Sequence, residues 1–344
     1  MNCSVVTVSL IPSSFQIAMT ETTEALFVIN IPPNTRGRGR SKVGYIDQRG
    51  LIKVKPDFDD GLDFTDGLAC IKIGKKWGFI DTTGSVVIDP KYAEFSRFQE
   101  GFAEVRINHK WGFINKIEDL VIDFRYEMTG SFSEGVCHVL QDGRYKYVDA
   151  QGNDIFRSTY EDAREFSEGF AAVKINDAWG YIDRNGAIAI PATFDGGRYR
   201  AAGPFSNGLA AVPFDQKWGY IDTAGKVLIE PEFESAANHH QGLALVEIND
   251  CFGFIDLSGK IKIAARFPYA ESFFDGLAKV RVNNKYGFID VSGDFAIDPQ
   301  FRSAEHFKNG LCYVELEREV GYINASGDFV WKGPYVSSRS GSLR

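Results

Sequence analysis

The chain has 344 residues, of which 44% are hydrophobic and 24% are charged, and its formal net charge at pH 7 is −8. This composition is typical of a globular protein, and the length permits either two ordinary domains or one long repeat array. The negative charge argues against nucleic acid and against an anionic membrane surface as partners, because both require a basic face.

The first elements along the chain follow a mildly apolar stretch. Residues 1–24 are predicted to be a poorly ordered N-terminal extension, in which Met19 is an alternative translation start to Met1. This stretch has neither a charged start nor a clear cleavage site, which argues against a secretory signal. Residues 25–335 are predicted to form one array of β-repeats, and residues 336–344 a solvated C-terminal tail. The sequence contains no run of 18 apolar residues, so no membrane-spanning helix is predicted.

A six-residue motif recurs along the array. "KWGFID" at 76–81 returns as "KWGFIN" at 110–115, "AWGYID" at 178–183, "KWGYID" at 217–222, "CFGFID" at 251–256 and "KYGFID" at 285–290. Weaker copies are "KVGYID" at 42–47 and "EVGYIN" at 319–324. The motif glycine recurs every 34 residues from Gly44 to Gly321, except that Lys146 replaces it once and one step is 39 residues long. An insertion within 195–205 explains the long step, and the constant period indicates a repeat architecture.

Each repeat is predicted to be a three-stranded antiparallel meander. In residues 67–92 the strands are "LACIKI", "WGFID" and "SVVI", and they are joined by a tight turn and by a "D-x-x-G" turn. Tetratricopeptide repeats, which are helical hairpins, have a similar period. Helical hairpins are rejected here because the apolar runs are short, rich in β-branched residues and interrupted by glycine. The Asp or Asn that closes each middle strand is interpreted as a cap of its own turn, because a calcium site needs six or more oxygen ligands.

Three aromatic columns keep the same register. One follows the motif glycine directly, one lies 14 residues beyond it, and one precedes each "G-[LF]-A" start. Because these strands are apolar on both faces, we interpret the columns as core; a carbohydrate-stacking surface is the alternative. A glycine in a central strand indicates a close approach, and we expect an aromatic ring from a neighbouring strand or repeat to lie over it. The predicted structural anchors are Trp77, Gly78, Trp111, Gly112, Trp179, Gly180, Trp218, Gly219, Gly253 and Gly287.

The repeats resemble the WG-repeat (KWG) family, which is found mostly in bacterial proteins. "KWGFIDTTGSVVIDPKY" and its copies carry the resemblance over about residues 42–335. It implies an all-β scaffold that mediates interactions, and it brings no catalytic residues. About nine 34-residue units are expected to stack as an open, curved β-solenoid; a closed, propeller-like ring is the alternative. The solenoid is preferred because propellers have four to eight blades, of about four strands and some 40 residues each.

Cysteine and histidine give no sign of a chemical site. The five cysteines are odd in number and lack C-x-x-C spacing, which favours reduced thiols in the cytoplasm over a secreted or periplasmic setting. Cys70, Cys137 and Cys312 lie among small apolar residues and are interpreted as core. The histidines occupy different places in different repeats, so no metal site or cofactor is predicted.

The sequence therefore predicts a non-enzymatic scaffold that binds another protein. The candidate interaction loop is the insertion, with Asp195, Arg198, Tyr199 and Arg200 as its charged and aromatic residues. The alternative is a carbohydrate- or cell-wall glycan-binding module. Neither nucleic acid nor a membrane is expected as a partner.

Overall fold

The computed structural model describes residues 25–32, 41–195 and 200–335. All regular elements in these ranges are β-strands, and no helix there is long and apolar enough to cross a membrane. The predicted N-terminal extension, including Met19, and the predicted C-terminal tail lie outside the described residues. The strands form nine antiparallel sheets, numbered 1 to 9 in chain order.

The strands of sheets 1 to 3 are β1 (Phe27–Ile31), β2 (Lys42–Ile46), β3 (Ile52–Phe58); β4 (Asp60–Gly61), β5 (Leu68–Ile73), β6 (Lys76–Asp81), β7 (Val86–Tyr92); and β8 (Glu94–Phe95), β9 (Phe102–Ile107), β10 (Lys110–Asn115), β11 (Leu120–Tyr126). Those of sheets 4 to 6 are β12 (Met128–Thr129), β13 (Val136–Gln141), β14 (Arg144–Asp149); β15 (Asp162–Ser167), β16 (Phe170–Ile175), β17 (Ala178–Ile182), β18 (Ile188–Phe194); and β19 (Leu209–Phe214), β20 (Lys217–Asp222), β21 (Val227–Phe233). Those of sheets 7 to 9 are β22 (Ser235–Ala236), β23 (Leu243–Ile248), β24 (Cys251–Asp256), β25 (Ile261–Phe267); β26 (Tyr269–Phe274), β27 (Leu277–Val282), β28 (Lys285–Ile289), β29 (Phe295–Phe301); and β30 (Ser303–Ala304), β31 (Leu311–Glu315), β32 (Glu319–Asn324), β33 (Phe329–Pro334).

Most repeats contribute four strand positions rather than the predicted three. The connector before each "G-[LF]-A" start turns back and pairs with the following strand, as where Leu62 N donates to Cys70 O at 3.0 Å. The aromatic residue of this segment is buried, as Phe98 is in sheet 3. Burial requires the segment's backbone groups to be paired, and the neighbouring sheet edge supplies the partners. We refer to the four positions as the first to fourth strands of a sheet.

The turns form as their sequences predict. Asn108 and Asn176 adopt positive φ in the turns between second and third strands. At the end of every third strand, the Asp or Asn side chain accepts two backbone hydrogen bonds from its own turn; Asp222 Oδ1, for example, accepts from Ala224 N and Lys226 N, both at 2.9 Å. The turn-cap interpretation is confirmed. These bonds lower the pKa of most of the aspartates, such as Asp183.

Sheet 4 is irregular where the motif glycine is lost. Lys146 stands in its place, with Nζ 2.8 Å from an Asp154 carboxylate oxygen. Instead of forming a fourth strand, the chain is bridged to β14 only at Tyr145–Tyr160 and Val148–Asp154. In the other sheets the motif glycine faces the fourth strand. Where Lys146 replaces the glycine, that strand is absent.

The nine sheets close into a ring. β33 packs against β1 in the same way that β3 packs against β5 and β7 against β9, so sheet 9 meets sheet 1 as any sheet meets its successor. The seam also has a buried cluster containing Phe27, Leu311 and Tyr322. Gln48 Nε2 donates to Asn309 O across it at 2.8 Å. The propeller-like alternative is confirmed, and the closure disfavours the preferred open solenoid.

The aromatic columns lie in the core, as expected. The residue after the motif position is buried in all nine repeats, and the column 14 residues beyond the glycine is buried in eight of nine. Where the first of these residues is tyrosine, its hydroxyl also reaches into the next sheet, as from Tyr220 to Ala237 O at 2.6 Å. The columns therefore bind each sheet to its successor.

Candidate interaction surface

The predicted tryptophan anchors are packing residues. Trp179 is buried, and Trp77, Trp111 and Trp218 are half-buried. The Trp77 ring lies 4.5 Å from that of Phe95 in the next sheet. Cationic side chains lie over three of these rings, as Arg164 does at 4.9 Å from the centre of the Trp179 ring.

The anchor glycines face backbone, not a neighbouring aromatic ring as predicted. A methyl group at Gly112 would lie 2.6 Å from Ile122 O, and one at Gly287 would lie 2.6 Å from Ile297 O. In each case the opposing atoms belong to the fourth strand of the same sheet, which bulges at this point. Gly78, Gly180, Gly219 and Gly253 have the same surroundings. The predicted close approach to the glycine is confirmed, but its cause is different. The fourth strand has two extra residues at this point, and the backbone of this bulge lies over the glycine.

The ring has two faces because each sheet is an antiparallel meander. The turn face carries the turns between first and second strands and between third and fourth strands. The connector face carries the turns between second and third strands and the connections to the next sheet. Both faces contain contacts between sheets that the sequence interpretation missed.

On the turn face, an acidic or amide side chain of one sheet accepts a hydrogen bond from the glycine N–H of the next. The accepting and donating residues are Asp66 and Gly101 (2.7 Å), Glu100 and Gly135 (2.9 Å), Glu134 and Gly169 (3.2 Å), Glu168 and Gly208 (2.8 Å), Gln241 and Gly276 (3.0 Å), and Asp275 and Gly310 (2.8 Å). Bonds to a carboxylate are charge-assisted. The signal in the sequence was the polar residue before "G-[LF]-A" in every complete repeat.

On the connector face, three of the motif lysines, Lys42, Lys110 and Lys217, pair with a carboxylate 17 residues later. Lys42 lies 2.9 Å from Asp59, and Lys217 lies 2.8 Å from Glu234. Each pair joins a third strand to the beginning of the next sheet. Because these side chains are partly exposed, each pair contributes at most about 1 kcal/mol to stability. The constant spacing of 17 could have been recognised in the sequence.

The insertion lies on the connector face, between sheets 5 and 6. The structure describes its ends, Asp195 and Arg200, whereas Arg198 and Tyr199 lie outside the described residues. Arg200 Nη1 donates to Asp215 O at 3.4 Å, which joins the end of the insertion to a turn of sheet 6. The described ends of the insertion thus lie on the connector face.

Sheets 3 to 5 share a buried polar cluster. Glu104 is almost fully buried, and burial raises the pKa of its carboxyl to about 7, although hydrogen bonds from Ser96 and Ser131 oppose the change. Burial also raises the pKa of the nearby Cys137 thiol and lowers that of His138. A nucleophilic thiol requires a lowered pKa. Because the pKa of the Cys137 thiol is raised instead, the cluster fits a structural role.

Replacing Glu104 with glutamine should make the protein more stable at pH 8 and change little at pH 5. The pKa of Glu104 in the folded protein lies above its ordinary value of 4.5, so its contribution to stability is lost as pH rises from 4.5 through about 7. The shift corresponds to roughly 3 kcal/mol at pH 8. Urea unfolding at both pH values, with exposed Glu232→Gln as the control, measures the difference. Parallel pH profiles for Glu104→Gln and the unchanged protein would contradict the assignment.

Two further cysteines and one further histidine have structural positions. Cys70 and Cys312 are buried like Cys137, which confirms their interpretation as core residues. His239 stands in an aromatic column and stacks 5.0 Å from Tyr220. Across the described part of the chain, no group of three or more His, Cys, Asp or Glu side chains is placed to hold a metal ion.

Comparison with known proteins places these repeats in a family. The family model described as "WG containing repeat" matches residues 44–77, 77–111, 111–145, 147–177, 179–218, 218–250, 252–286 and 286–317. No curated protein sequence matches the chain significantly.

Solved structures share the backbone arrangement at low sequence identity. A structure described as that of "the eukaryotic initiation factor" has a TM-score of 0.66 at 10% identity, over 91% of this chain and 96% of that chain. Dihydro-heme d1 dehydrogenase NirN has a TM-score of 0.47 at 13% identity, over 91% and 73%. BamB from Moraxella catarrhalis has 0.42 at 11%, over 71% and 88%. At these identities the similarity concerns the fold alone. Because the matched repeats cover most of the chain and follow its successive sheets, this protein belongs to the family built from WG-containing repeats.

Proposed function

We propose that this nine-sheet ring is a non-enzymatic scaffold that binds a protein partner through its faces. One observation carries the proposal: the residues that recur in every repeat pack within and between the sheets. The residues that differ from repeat to repeat therefore lie mainly in the turns and connectors. The tryptophan, glycine and aspartate columns all have partners within or between sheets. A rigid ring that presents variable turns is suited to recognising an extended protein surface.

The connector face is the proposed contact surface. The period of the repeats is broken on this face at the insertion, where the chain from Asp195 to Arg200 takes the place of the usual short connection. Loops on a rigid scaffold are where binding residues concentrate. The net charge of −8 favours a protein partner with basic groups over nucleic acid or an anionic membrane.

The absence of enzymatic activity is part of the proposal. Burial raises the thiol pKa of Cys70, Cys137 and Cys312, which opposes nucleophilic chemistry. No cofactor is proposed. A cytoplasmic location is proposed with it, because the four cysteines in the described part of the chain are free, as reduced thiols are in that compartment.

Glycan binding remains the alternative function, and it would require rings other than the aromatic columns. Those columns are in the core and offer no face to a sugar. Retention of the protein on insoluble polysaccharide, with tryptophan fluorescence quenched by soluble sugar, would favour this alternative and contradict the protein scaffold.

Affinity capture from the native host tests the scaffold. The immobilised protein should retain one partner in near-stoichiometric amount, identified by mass spectrometry and then purified to confirm direct binding. Asp195→Ala together with Arg200→Ala should weaken this binding, whereas Ser258→Ala on the turn face should not. Absence of any retained protein, or equal retention by all variants, would contradict the proposed surface.

A further inference from the structure

A cavity of about 340 Å³ lies between sheets 2 and 3, away from the seam of the ring. Sheet 3 contributes its four apolar lining residues, which are Ile107, Ile114, Leu120 and Phe124. Three further residues add polar groups, and they are Lys91 and Tyr92 at the end of β7 and Glu118 in the turn before β11. A largely apolar cavity with a few polar groups has the composition of a binding site.

Glu118 is an exception among the repeats. At its position in the turn between third and fourth strands, the other eight sheets have glycine; these residues are Gly50, Gly84, Gly152, Gly186, Gly225, Gly259, Gly293 and Gly327. Like them, Glu118 adopts positive φ, at 68°. A side chain is strained in this conformation because its Cβ crowds the backbone, and such strain is typical of functional sites. The turn of sheet 3 thus carries a strain that the other eight turns avoid.

The Glu118 side chain reaches across to sheet 2. Lys91 Nζ lies 2.7 Å from Glu118 Oε1, and Tyr92 Oη donates to the same oxygen at 3.1 Å. In most other sheets the turn glycine packs instead against an aliphatic side chain of the preceding sheet, as a Cβ at Gly259 would lie 3.1 Å from Ile229 Cγ2. A carboxylate has about four acceptor sites. Glu118 is therefore fixed at the cavity and can accept a further hydrogen bond from a bound group.

Phe124 is a second exception beside the same cavity. It lies in the bulge of β11, and the same position of the other eight repeats has proline or a small residue; these residues are Pro56, Pro90, Ser158, Ala192, Pro231, Ala265, Pro299 and Gly333. The Phe124 ring packs against a buried cluster of sheets 2 and 3. Nearby, Ile117 is 77% exposed and Leu120 is 45% exposed. Exposed apolar side chains beside a cavity are typical of an interaction site.

We propose that this cavity binds a tryptophan or tyrosine side chain of the partner protein, whose indole N–H or phenol O–H donates to Glu118. The cavity is at the lower end of the size range of ligand sites, which suits one aromatic side chain better than a large cofactor. Aromatic anchors that fill such pockets carry much of the binding energy in protein interfaces. A phenylalanine or leucine would cover the Glu118 carboxylate without supplying a donor, which costs binding energy.

The residues of this chain outside the described ranges fit the cavity less well. Residues 1–24 contain neither Trp nor Tyr, and their one aromatic residue is Phe15, which has no donor for Glu118. Residues 33–40 and 336–344 contain no aromatic residue. Tyr199 has the required hydroxyl, but it belongs to the insertion between sheets 5 and 6. A separate protein is therefore the expected source of the ring.

Methyl NMR on the full-length protein tests this inference, which rests on the proposed function. The isoleucine δ1 methyl groups are labelled, and N-acetyl-L-tryptophanamide is the probe. It should shift the resonances of Ile107 and Ile114 in a saturable way. Ile175 and Ile248 occupy the position of Ile107 in sheets 5 and 7, and their resonances should not move. N-acetyl-L-tyrosinamide should bind at least about tenfold more tightly than N-acetyl-L-phenylalaninamide, which lacks only the hydroxyl.

Glu118→Gly is the informative variant, because glycine is the residue of the other eight turns and the fold should be kept. The affinity for N-acetyl-L-tryptophanamide should fall at least about tenfold, since the loss removes a hydrogen bond to a charged group. Glu232→Gln removes an exposed carboxylate in sheet 6 and should leave the affinity unchanged. Equal affinity for Glu118→Gly and the unchanged protein, or no saturable shift at Ile107 and Ile114, would overturn the inference.

Two further measurements identify the occupant. Nonapeptides that are selected on the immobilised protein and displaced by N-acetyl-L-tryptophanamide should contain Trp or Tyr; displaced peptides that lack both would overturn the inference. A protein that begins at Met19 should have the same Ile107 and Ile114 resonances as the full chain before any probe is added. A difference would show that the N-terminal residues occupy the cavity, which would also overturn it. Failure here alongside partner capture that depends on Asp195 and Arg200 would leave the scaffold function intact.

Discussion

Gly180→Val is expected to lower the free energy of unfolding by about 3 kcal/mol or more, because the new side chain meets backbone rather than a movable side chain. A Cβ at this position would lie 2.7 Å from both Ala192 Cα and Ile190 O. The fourth strand would have to detach, as it does beside Lys146 in sheet 4. Urea unfolding followed by far-UV circular dichroism measures the loss.

The control is Ala178→Val, in the same strand at a half-buried position. Because valine suits a strand and this position does not face the bulge, its effect should be below about 1 kcal/mol. Similar unfolding curves for the two variants would show that the motif glycine is not needed for the bulge.

Phe27→Ala is expected to cost about 3–5 kcal/mol of stability, the range for removing a buried phenylalanine. The ring is buried among Ile29, Ile46, Leu311 and Tyr322, residues from the two ends of the array. Its removal leaves a cavity at the only junction in the described ring whose partners are far apart in sequence. Thermal and urea unfolding should both detect the loss.

Phe295→Ala is the matched control because that ring is 42% exposed. The loss of unfolding free energy for Phe295→Ala should be a small fraction of the loss for Phe27→Ala. If Phe27→Ala were as mild as Phe295→Ala, then Phe27 would belong to a free end, and the seam described here would not form.

The sequence predicted the features that each repeat determines by itself. The alternation around Trp77 and Phe79 and the "D-x-x-G" turns specify local strands and turns, and these formed as expected. The one repeat that lacks the motif glycine, at Lys146, is also the one whose sheet is irregular after the third strand. Burial of the aromatic columns followed from strands that are apolar on both faces.

The features that depend on relations between repeats were predicted less well. The first strand was missed because its few residues pair with an edge that only the folded sheet provides. With three strands counted per unit, the array resembled a solenoid more than a propeller. Closure was missed because the two ends share no sheet. They meet face to face through Phe27, which lies outside the motif, and Tyr322, which does not differ from the other residues of its column. The backbone opposite Gly78 was missed because a bulge in the partner strand leaves no fixed sequence pattern.

The site was predictable only in part. The candidate loop was found from the break in period, and its ends lie on the connector face. Phe27 could be recognised as an exception only after the sheets were aligned, when it proved to replace the small residue of the other second strands. Its contact with Tyr322 joins residues almost 300 positions apart and depends entirely on ring closure.

Ring closure is tested most directly by the distance across the seam. Nitroxide labels at Arg49→Cys and Asn309→Cys, in a background with Cys3 and Cys251 replaced by serine, are measured by double electron–electron resonance. A second pair at Gln241→Cys and Ser292→Cys occupies the same positions on two consecutive internal sheets. We predict that the two pairs give the same short distance distribution. A seam distance much longer than the internal one would contradict the closed ring.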